Sequence, residues 1–380
     1  MPLTVISLLV HAYVGWRLVP ALAEFSEWQA CVALLIVGSA VALQIGFGLW
    51  PKRRQVHSRG HDAAMVAAFI AMGFLSSLLV LTVLRDVALA AAWMAVQLGV
   101  AIPLVAFATW SALAVAAAAT LMTVLGLINA RQTARVVEVD IPIANLPASL
   151  HGFTIAQISD IHVGPTIKGD YLKSIVAEVN RIDVDMIAIT GDLVDGSVAQ
   201  LRPHVASLAE LTSRHGTYFV TGNHEYYSGV TAWVAELQRL GVNVLLNEHV
   251  ILRHNESELV IAGVTDHGGH HFDESHRSDP ARAISKAPAD LVRILLAHQP
   301  RSAAAAQQAG FHLQLSGHTH GGQFWPWNYF VRFQQPFTAG LHRLQSLWVY
   351  TSRGTGYWGP PKRFGAPSEI THLRLVPATP

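Results

Sequence analysis

Five short polar clusters carry the residue types that hold divalent cations: Asp160-Ile161-His162, Gly191-Asp192, Gly222-Asn223-His224-Glu225, a solitary His298, and Gly317-His318-Thr319-His320. Carboxylates, imidazoles and an amide oxygen suit hard to borderline divalent ions such as Mn²⁺, Fe²⁺, Zn²⁺ or Mg²⁺, and the donor types alone do not choose among them. Cys31 is the single cysteine, so neither a disulfide framework nor a thiolate zinc site is available. The donor set is large enough for two ions about 3.5–4 Å apart, and Asp192 is the natural carboxylate to bridge them. In the pairs Asp160/His162 and His318/His320 the side chains are two residues apart. On extended chain they share a face, and at a turn they can address different ions.

Most of these clusters close a short apolar run. Runs at Phe153 to Ile158, Met186 to Thr190, Tyr218 to Thr221, Leu259 to Val264, Val292 to Ala297, His312 to Leu315 and Leu347 to Thr351 suit strands buried on both faces. Tyr171 to Arg181, Val230 to Leu240 and Arg301 to Ala309 fit intervening helices. Residues at the carboxyl ends of strands in one sheet converge on a common rim, so five separated segments can deliver ligands to one place. The spacing therefore predicts a layered α/β domain over 151–380, preceded by a linker and first strand over 131–150.

With those motifs in order, the chain from about Thr154 onward resembles the calcineurin-like metallophosphoesterase superfamily, whose set is Asp-x-His, Gly-Asp, Gly-Asn-His, His and Gly-His-x-His. It is similar in particular to the bacterial membrane-associated or exported phosphodiesterases. Ser316-Gly317-His318-Thr319-His320-Gly321-Gly322-Gln323 and the late run from Ser352 to Gly365 look like their closing segments. The resemblance implies a β-sandwich-type domain flanked by helices. By the family's pattern one ion is held by Asp160, His162, Asp192 and His320, and the other by Asp192, Asn223, His298 and His318. Two such cations neutralise phosphate oxygens and acidify a water for in-line attack on phosphorus. His224 is then the transition-state residue, as imidazolium stabilising the phosphoryl oxygens or protonating the leaving oxygen, with Asp192 shared between metal holding and catalysis. Asp195 and Glu225 are candidates for orienting the metal-bound groups. The protein phosphatases of the superfamily follow Gly-Asp with Val-Asp-Arg-Gly; here Leu193-Val194-Asp195-Gly196 stands instead. That missing arginine argues against phosphoprotein, although Arg353 in the late run is a candidate to supply a clamp from elsewhere.

The rest of the chain is of another kind. Of the 51 charged residues only 10 precede residue 130, and 51% of all residues are hydrophobic. A helix rises about 1.5 Å per residue, so roughly 20 apolar residues cross the hydrocarbon layer. Leu3 to Leu22, Ala30 to Trp50 and Ala63 to Leu84 qualify. Val87 to Ala130 is read as a short interfacial or re-entrant piece, broken by Gly99 and Pro103, followed by a span from about Leu104 to Ile128. This gives a transmembrane region over 1–130 with about four helices. The basic loop from Lys52 to Arg59 belongs in the cytoplasm by the positive-inside rule, which carries Arg131, Arg135 and the large domain to the same side of a bacterial inner or plasma membrane. Two spans in the last stretch would reverse that. A net charge of +1, without a basic patch, offers nothing to nucleic acid.

Two weaker features are a histidine-rich loop (His267, His270, His271, His276) and the aromatic run from Phe324 to Phe330. The loop reads as hydrophilic connection rather than a third metal site. The aromatic run fits either core packing or docking on the bilayer, where an amphiphilic, lipid-linked phosphate ester would be the substrate. Competing readings are a catalytically silent metal-binding membrane sensor or scaffold, and a transporter. The intact Asp192, Asn223 and His224 speak against the first. The second lacks a polar pathway, because the expected spans hold no ionisable group besides His11 and Arg17.

Overall fold

The first third folds into helices because its long apolar runs offer the backbone few polar partners other than its own N–H and C=O groups. The computed structural model describes residues 2–49 and 59–378; residues 52–58 of the basic loop, on which the orientation expectation rests, lie outside them. The chain divides into two compact units, Met1–Arg131 with Gly359–Phe364, and Gln132–Trp358 with Gly365–Pro380.

In the first unit, α1 (Pro2–Leu18), α2 (Ser26–Leu49), α3 (Arg59–Gln97) and α4 (Leu104–Arg131) are all long and apolar enough to cross a membrane. Val14, Leu18, Leu22, Phe74, Leu78 and Ala112 pack inside, while Leu3, Leu9, Trp16, Leu34 and Val105 are exposed. Helices apolar around their whole circumference are stable in lipid. α3 corrects the expectation of a break after Leu84. It runs through Arg85 and Asp86 to Gln97, about 58 Å at 1.5 Å per residue, because no glycine or proline intervenes before Gly99, whose φ is +89°. The spans therefore do hold further ionisable groups, and these are paired. Arg17 Nε donates to both Asp86 oxygens at 3.0 and 2.8 Å and Tyr13 donates to Asp86 at 2.7 Å. Arg85 donates to Ala108 O at 2.9 Å and Ser111 Oγ at 3.0 Å.

The hexapeptide Gly359–Phe364 packs with these helices. Lys362 Nζ donates to Gly73 O (2.9 Å), Ser77 Oγ (2.6 Å) and Thr123 Oγ1 (3.2 Å), which satisfies an ammonium inside an apolar bundle. The glycine at 126 makes room: a Cβ there would lie 2.6 Å from Lys362 Cγ.

The second unit holds two six-stranded mixed sheets. The first runs in the order β1 (Arg135–Ile143), β12 (Glu369–Pro377), β2 (Thr154–Ile158), β3 (Met186–Ile189), β4 (Thr217–Phe219), β5 (Asn243–Val244). The second runs β10 (Gly340–Leu344), β11 (Leu347–Thr351), β9 (Leu313–Ser316), β8 (Val292–Leu296), β7 (Ser257–Gly263), β6 (Glu248–His254). Their facing side chains form one core, with Ile155, Met186, Ala188 and Tyr218 from the first sheet and Leu259, Ile261, Ile294, Leu313 and Tyr350 from the second. Helices α5 (Gly169–Arg181), α6 (Val198–Val205), α7 (Asn223–Ser228) and α8 (Val230–Arg239) follow strands of the first sheet; α9 (Pro280–Ala283) and α10 (Ala303–Gln308) belong to the second half. The architecture is α/β, a sandwich of two sheets flanked by helices, as expected. β12, which pairs parallel with β1 and antiparallel with β2, had no counterpart in the sequence reading. Within the first sheet β2, β3 and β4 are parallel, and within the second β7, β8 and β9 are parallel. Their carboxyl ends lead into 159–162, 190–192, 220–224, 264–266, 297–298 and 317–320.

Gly126→Val is expected to lower the unfolding free energy of the detergent-solubilised protein by about 1–3 kcal/mol through overpacking against Lys362. Gly15→Val, with nothing within 4 Å of its Cβ position, serves as the neutral control in the same thermal melt.

Candidate metal centre

The strand ends are laced together by main-chain hydrogen bonds: Asp160 N to Gly191 O (3.0 Å), His162 N to Asp192 O (3.1 Å), and Gly317 N to His298 O (2.9 Å). This lacing forces the backbone into sharp turns. Asp160, His162, Asp192, His318 and His320 all have positive φ, between 52° and 71°, a conformation that costs non-glycine residues free energy and clusters at functional sites. Gly317 shows why the neighbours are glycine. A Cβ there would sit 2.0 Å from Ser159 Oγ and 2.1 Å from Asp160 Oδ2.

All seven candidate ligands belong to this one region. His162 Nε2 is 3.1 Å from His320 Nε2, and His320 Nε2 is 3.5 Å from Asp160 Oδ1. His298 Nε2 is 3.2 Å from both Asp192 Oδ2 and His318 Nδ1. Asp192 Oδ2 joins the two groups, since it is also 3.8 Å from His162 Nε2. Two ligand-sized clusters, Asp160/His162/His320 and Asp192/His298/His318, thus meet at one carboxylate. The second nitrogen of His298 is occupied: its Nδ1 donates to Thr190 O at 2.7 Å, so the lone pair of Nε2 faces the cluster. Asn223 begins α7, and its Oδ1 is buried without any hydrogen-bond partner. A buried amide oxygen left without a partner costs free energy and is an acceptor waiting for a cation, so the donor set fits a pair of divalent ions.

Asp195 and Glu225 both enter the site, in different ways. Asp195 Oδ1 hydrogen-bonds His224 Nδ1, while its Oδ2 lies 3.3 Å from His162 Nδ1. Burial opposes ionisation of Asp195, but His162 and His224 outweigh it and hold its pKa well below the usual carboxylate range. For His224, burial lowers the pKa, and Asp192 followed by Asp195 overcomes this and raises it to about 9. Its Nε2 points toward Asp192 Oδ2 at 3.9 Å, and its backbone N–H donates to Asp192 Oδ1 at 2.8 Å. Glu225 touches no candidate ligand side chain. Its buried carboxylate instead accepts the N–H groups of Gly222 (2.7 Å), Asp192 (3.0 Å), Leu193 (2.8 Å) and Val194 (3.3 Å), clamping the Asp192 turn to the start of α7.

Arg353 Nη1 pairs with Glu369 at 2.9 Å, and its alkyl stem lies beside Gly321. His276 Nδ1 hydrogen-bonds Tyr226 at 2.8 Å, and the His270 and His271 rings lie 4.0 Å apart, tilted by 41°, within a 3₁₀ turn. The aromatic run splits, with Phe324 buried and Trp327, Tyr329 and Phe330 exposed, followed by an exposed Phe333. Sequence reasoning missed three features. Trp358 and Tyr227 flank the His224 ring, with centroids at 5.6 and 5.3 Å, and nothing in their spacing announces this. Asp266 accepts from Gln299 at 2.9 Å beside His298. It closes the apolar run of β7 as the other clusters close theirs, which was the available signal.

The model of the calcineurin-like phosphoesterase family matches residues 153–322, an interval containing all seven candidate ligands. A metallophosphoesterase of Aquifex aeolicus without assigned function is 32% identical, over 58% of this chain and 84% of its own length. The chain belongs to the calcineurin-like metallophosphoesterases. Among its relatives, a bovine "transmembrane protein with metallophosphoesterase domain" is 42% identical over 68% of this chain and 61% of its own length. A Helicobacter pylori metallophosphoesterase is 39% identical, over 59% of this chain and 60% of its own length. The chain thus spans about three fifths of each of these two relatives. Family membership and the clustered ligands point to a binuclear metal site, and the four apolar helices to a membrane protein.

Glu225→Gln places an amide N–H against backbone N–H donors. The metallophosphoesterase carrying it is expected to lose about 1.5–3 kcal/mol of stability and to bind metal more weakly, read by denaturant unfolding and by metal titration of the same preparation.

Proposed function

We propose that this metallophosphoesterase hydrolyses a phosphodiester or pyrophosphate bond with two divalent ions, Mn²⁺ favoured, and that its substrate is membrane-derived or lipid-linked. The observation that carries the reading is the Asp192 carboxylate, one of whose oxygens lies within 3.8 Å of imidazoles from both ligand clusters. Asp160, His162, Asp192 and His320 would hold one ion, and Asp192, Asn223, His298 and His318 the other. Bound there, the cations supply Lewis-acid charge against phosphate oxygens and acidify a nucleophilic water.

The chain's own residues do the rest. Asp195 holds the Nδ1 proton of His224, fixing the ring so that Nε2 faces the shared carboxylate. An imidazolium in that position stabilises charge on the phosphoryl oxygens and hands its Nε2 proton to the leaving oxygen. Asp195 also backs His162, so one carboxylate orients a metal ligand and the acid together. The exposed Trp327, Tyr329, Phe330 and Phe333, with Tyr227, Phe272 and Trp358, offer aromatic surface of the kind that settles at a bilayer interface. This supports an amphiphilic substrate. Arg131, which ends α4, and Arg135, which opens β1, favour a catalytic domain on the cytoplasmic side of a bacterial inner membrane.

The test is hydrolysis of an aryl phosphodiester and an aryl phosphomonoester by purified protein, stripped by chelator and then resupplied with Mn²⁺. Turnover is expected to vanish on stripping, return with Mn²⁺, favour the diester, and be lost in Asp192→Asn. Asp195→Asn is expected to retain metal but lose about 10–100-fold in rate. Two bound ions without turnover on aryl or lipid phosphodiesters would overturn the reading in favour of a silent module.

A further inference from the structure

Asp185, His215 and His254 form a second constellation of ligand residues, and it lies at the other end of the first sheet. Asp185 precedes β3 and His215 precedes β4, whereas the candidate centre follows the carboxyl ends of those strands. β3, four residues long, separates the two by about 13 Å at some 3.3 Å per residue. His254 ends β6 of the second sheet. We propose that these three residues bind one zinc-class ion that staples the two sheets together, a site separate from the binuclear centre.

The donor atoms all lie within 4.8 Å of one another. His215 Nε2 is 3.0 Å from His254 Nδ1, and His254 Nδ1 is 3.6 Å from Asp185 Oδ1. These separations bracket the spacing of roughly 3.3 Å between neighbouring donors of a tetrahedral ion with bonds near 2.0 Å. A simple imidazole pair would account for the first contact but not for Asp185 Oδ1, which is beyond hydrogen-bond reach of His254. The ligands are held from behind. Thr154 N and Oγ1 donate to the other oxygen of Asp185 at 2.9 and 3.1 Å, leaving Oδ1 turned toward the imidazoles. The His215 main-chain N–H donates to Asp185 O at 2.8 Å. Phe153 packs against both rings, with centroids at 5.9 and 5.0 Å.

Two imidazoles and one carboxylate favour zinc or its neighbours over magnesium or calcium. His254 is buried while Asp185 and His215 are partly exposed, so a fourth position opens to solvent. Among the described residues, the cationic charge acting on both imidazoles is Arg214, whose guanidinium is drawn to Asn255 Oδ1 at 3.0 Å. No covalent chemistry is assigned to the ion; its role is to join the start of β3 and β4 to the end of β6.

The experiment compares metal content by elemental mass spectrometry of the full-length protein, dialysed against Zn²⁺ after chelation, with that of Asp185→Asn and His215→Gln. The parent is expected to hold one zinc equivalent more per chain than either variant. Its melting temperature should rise with Zn²⁺ by several degrees more than theirs, and phosphodiester hydrolysis should stay within twofold. Because the readout is a difference, it does not depend on how the binuclear centre is filled or on its proposed activity. Equal zinc content in parent and variants, with metal-free forms melting alike, would overturn the site. If His215→Gln does not fold, Asp185→Asn, which retains an acceptor for Thr154, decides by the same measurement.

Discussion

Asp192 is a buried carboxylate with several claims on it at once. One oxygen faces His162, His298 and His224, and the other accepts the His224 backbone N–H. A buried anion survives only when compensated, and here the compensation is spread over three separate chain segments. Those segments must therefore arrive together. The left-handed turns at Asp160, His162, Asp192, His318 and His320, and the glycines beside them, are the conformational cost of that convergence. The two-sheet core supplies the rigidity that holds it, with parallel strands delivering every turn to the same end.

Glu225 extends the same logic one layer outward. It aims at no ligand side chain, yet by gathering four backbone N–H groups it freezes the Asp192 turn against α7, which carries Asn223 and His224. Asp195 works on side chains instead and links His162 to His224. Two acidic residues that look alike in sequence thus do different jobs, one shaping backbone and the other fixing imidazoles.

The helical unit obeys a different solvent. Many of its outward side chains are apolar, and several of its polar groups, His11 with Ser39, Arg17 with Asp86 and Tyr13, and Lys362 with Gly73, Ser77 and Thr123, are satisfied internally. Lys362 arrives from more than two hundred residues down the chain, between segments of the metallophosphoesterase half. No hydropathy pattern could have placed a lysine of the late glycine-rich run among membrane helices. Pairing partners for Arg85 and Asp86 were equally invisible, because the helix carrying them was expected to stop just before them.

Residue type and local period determined most of what was legible. Seven apolar runs became strands within two or three residues of their expected limits, since buried strands need a continuous apolar stretch and a polar or glycine stop. The candidate ligand set was legible as a cluster because metal coordination restricts residue types and turns restrict their neighbours. What only the tertiary structure decided was long-range or orientational. It placed β12 between β1 and β2, turned Arg353 toward Glu369, set Trp358 beside His224, and gathered Asp185, His215 and His254, which share no motif and lie up to 69 positions apart. Contacts of that kind depend on strand order and packing rather than on neighbouring residues, and a linear pattern carries no record of them.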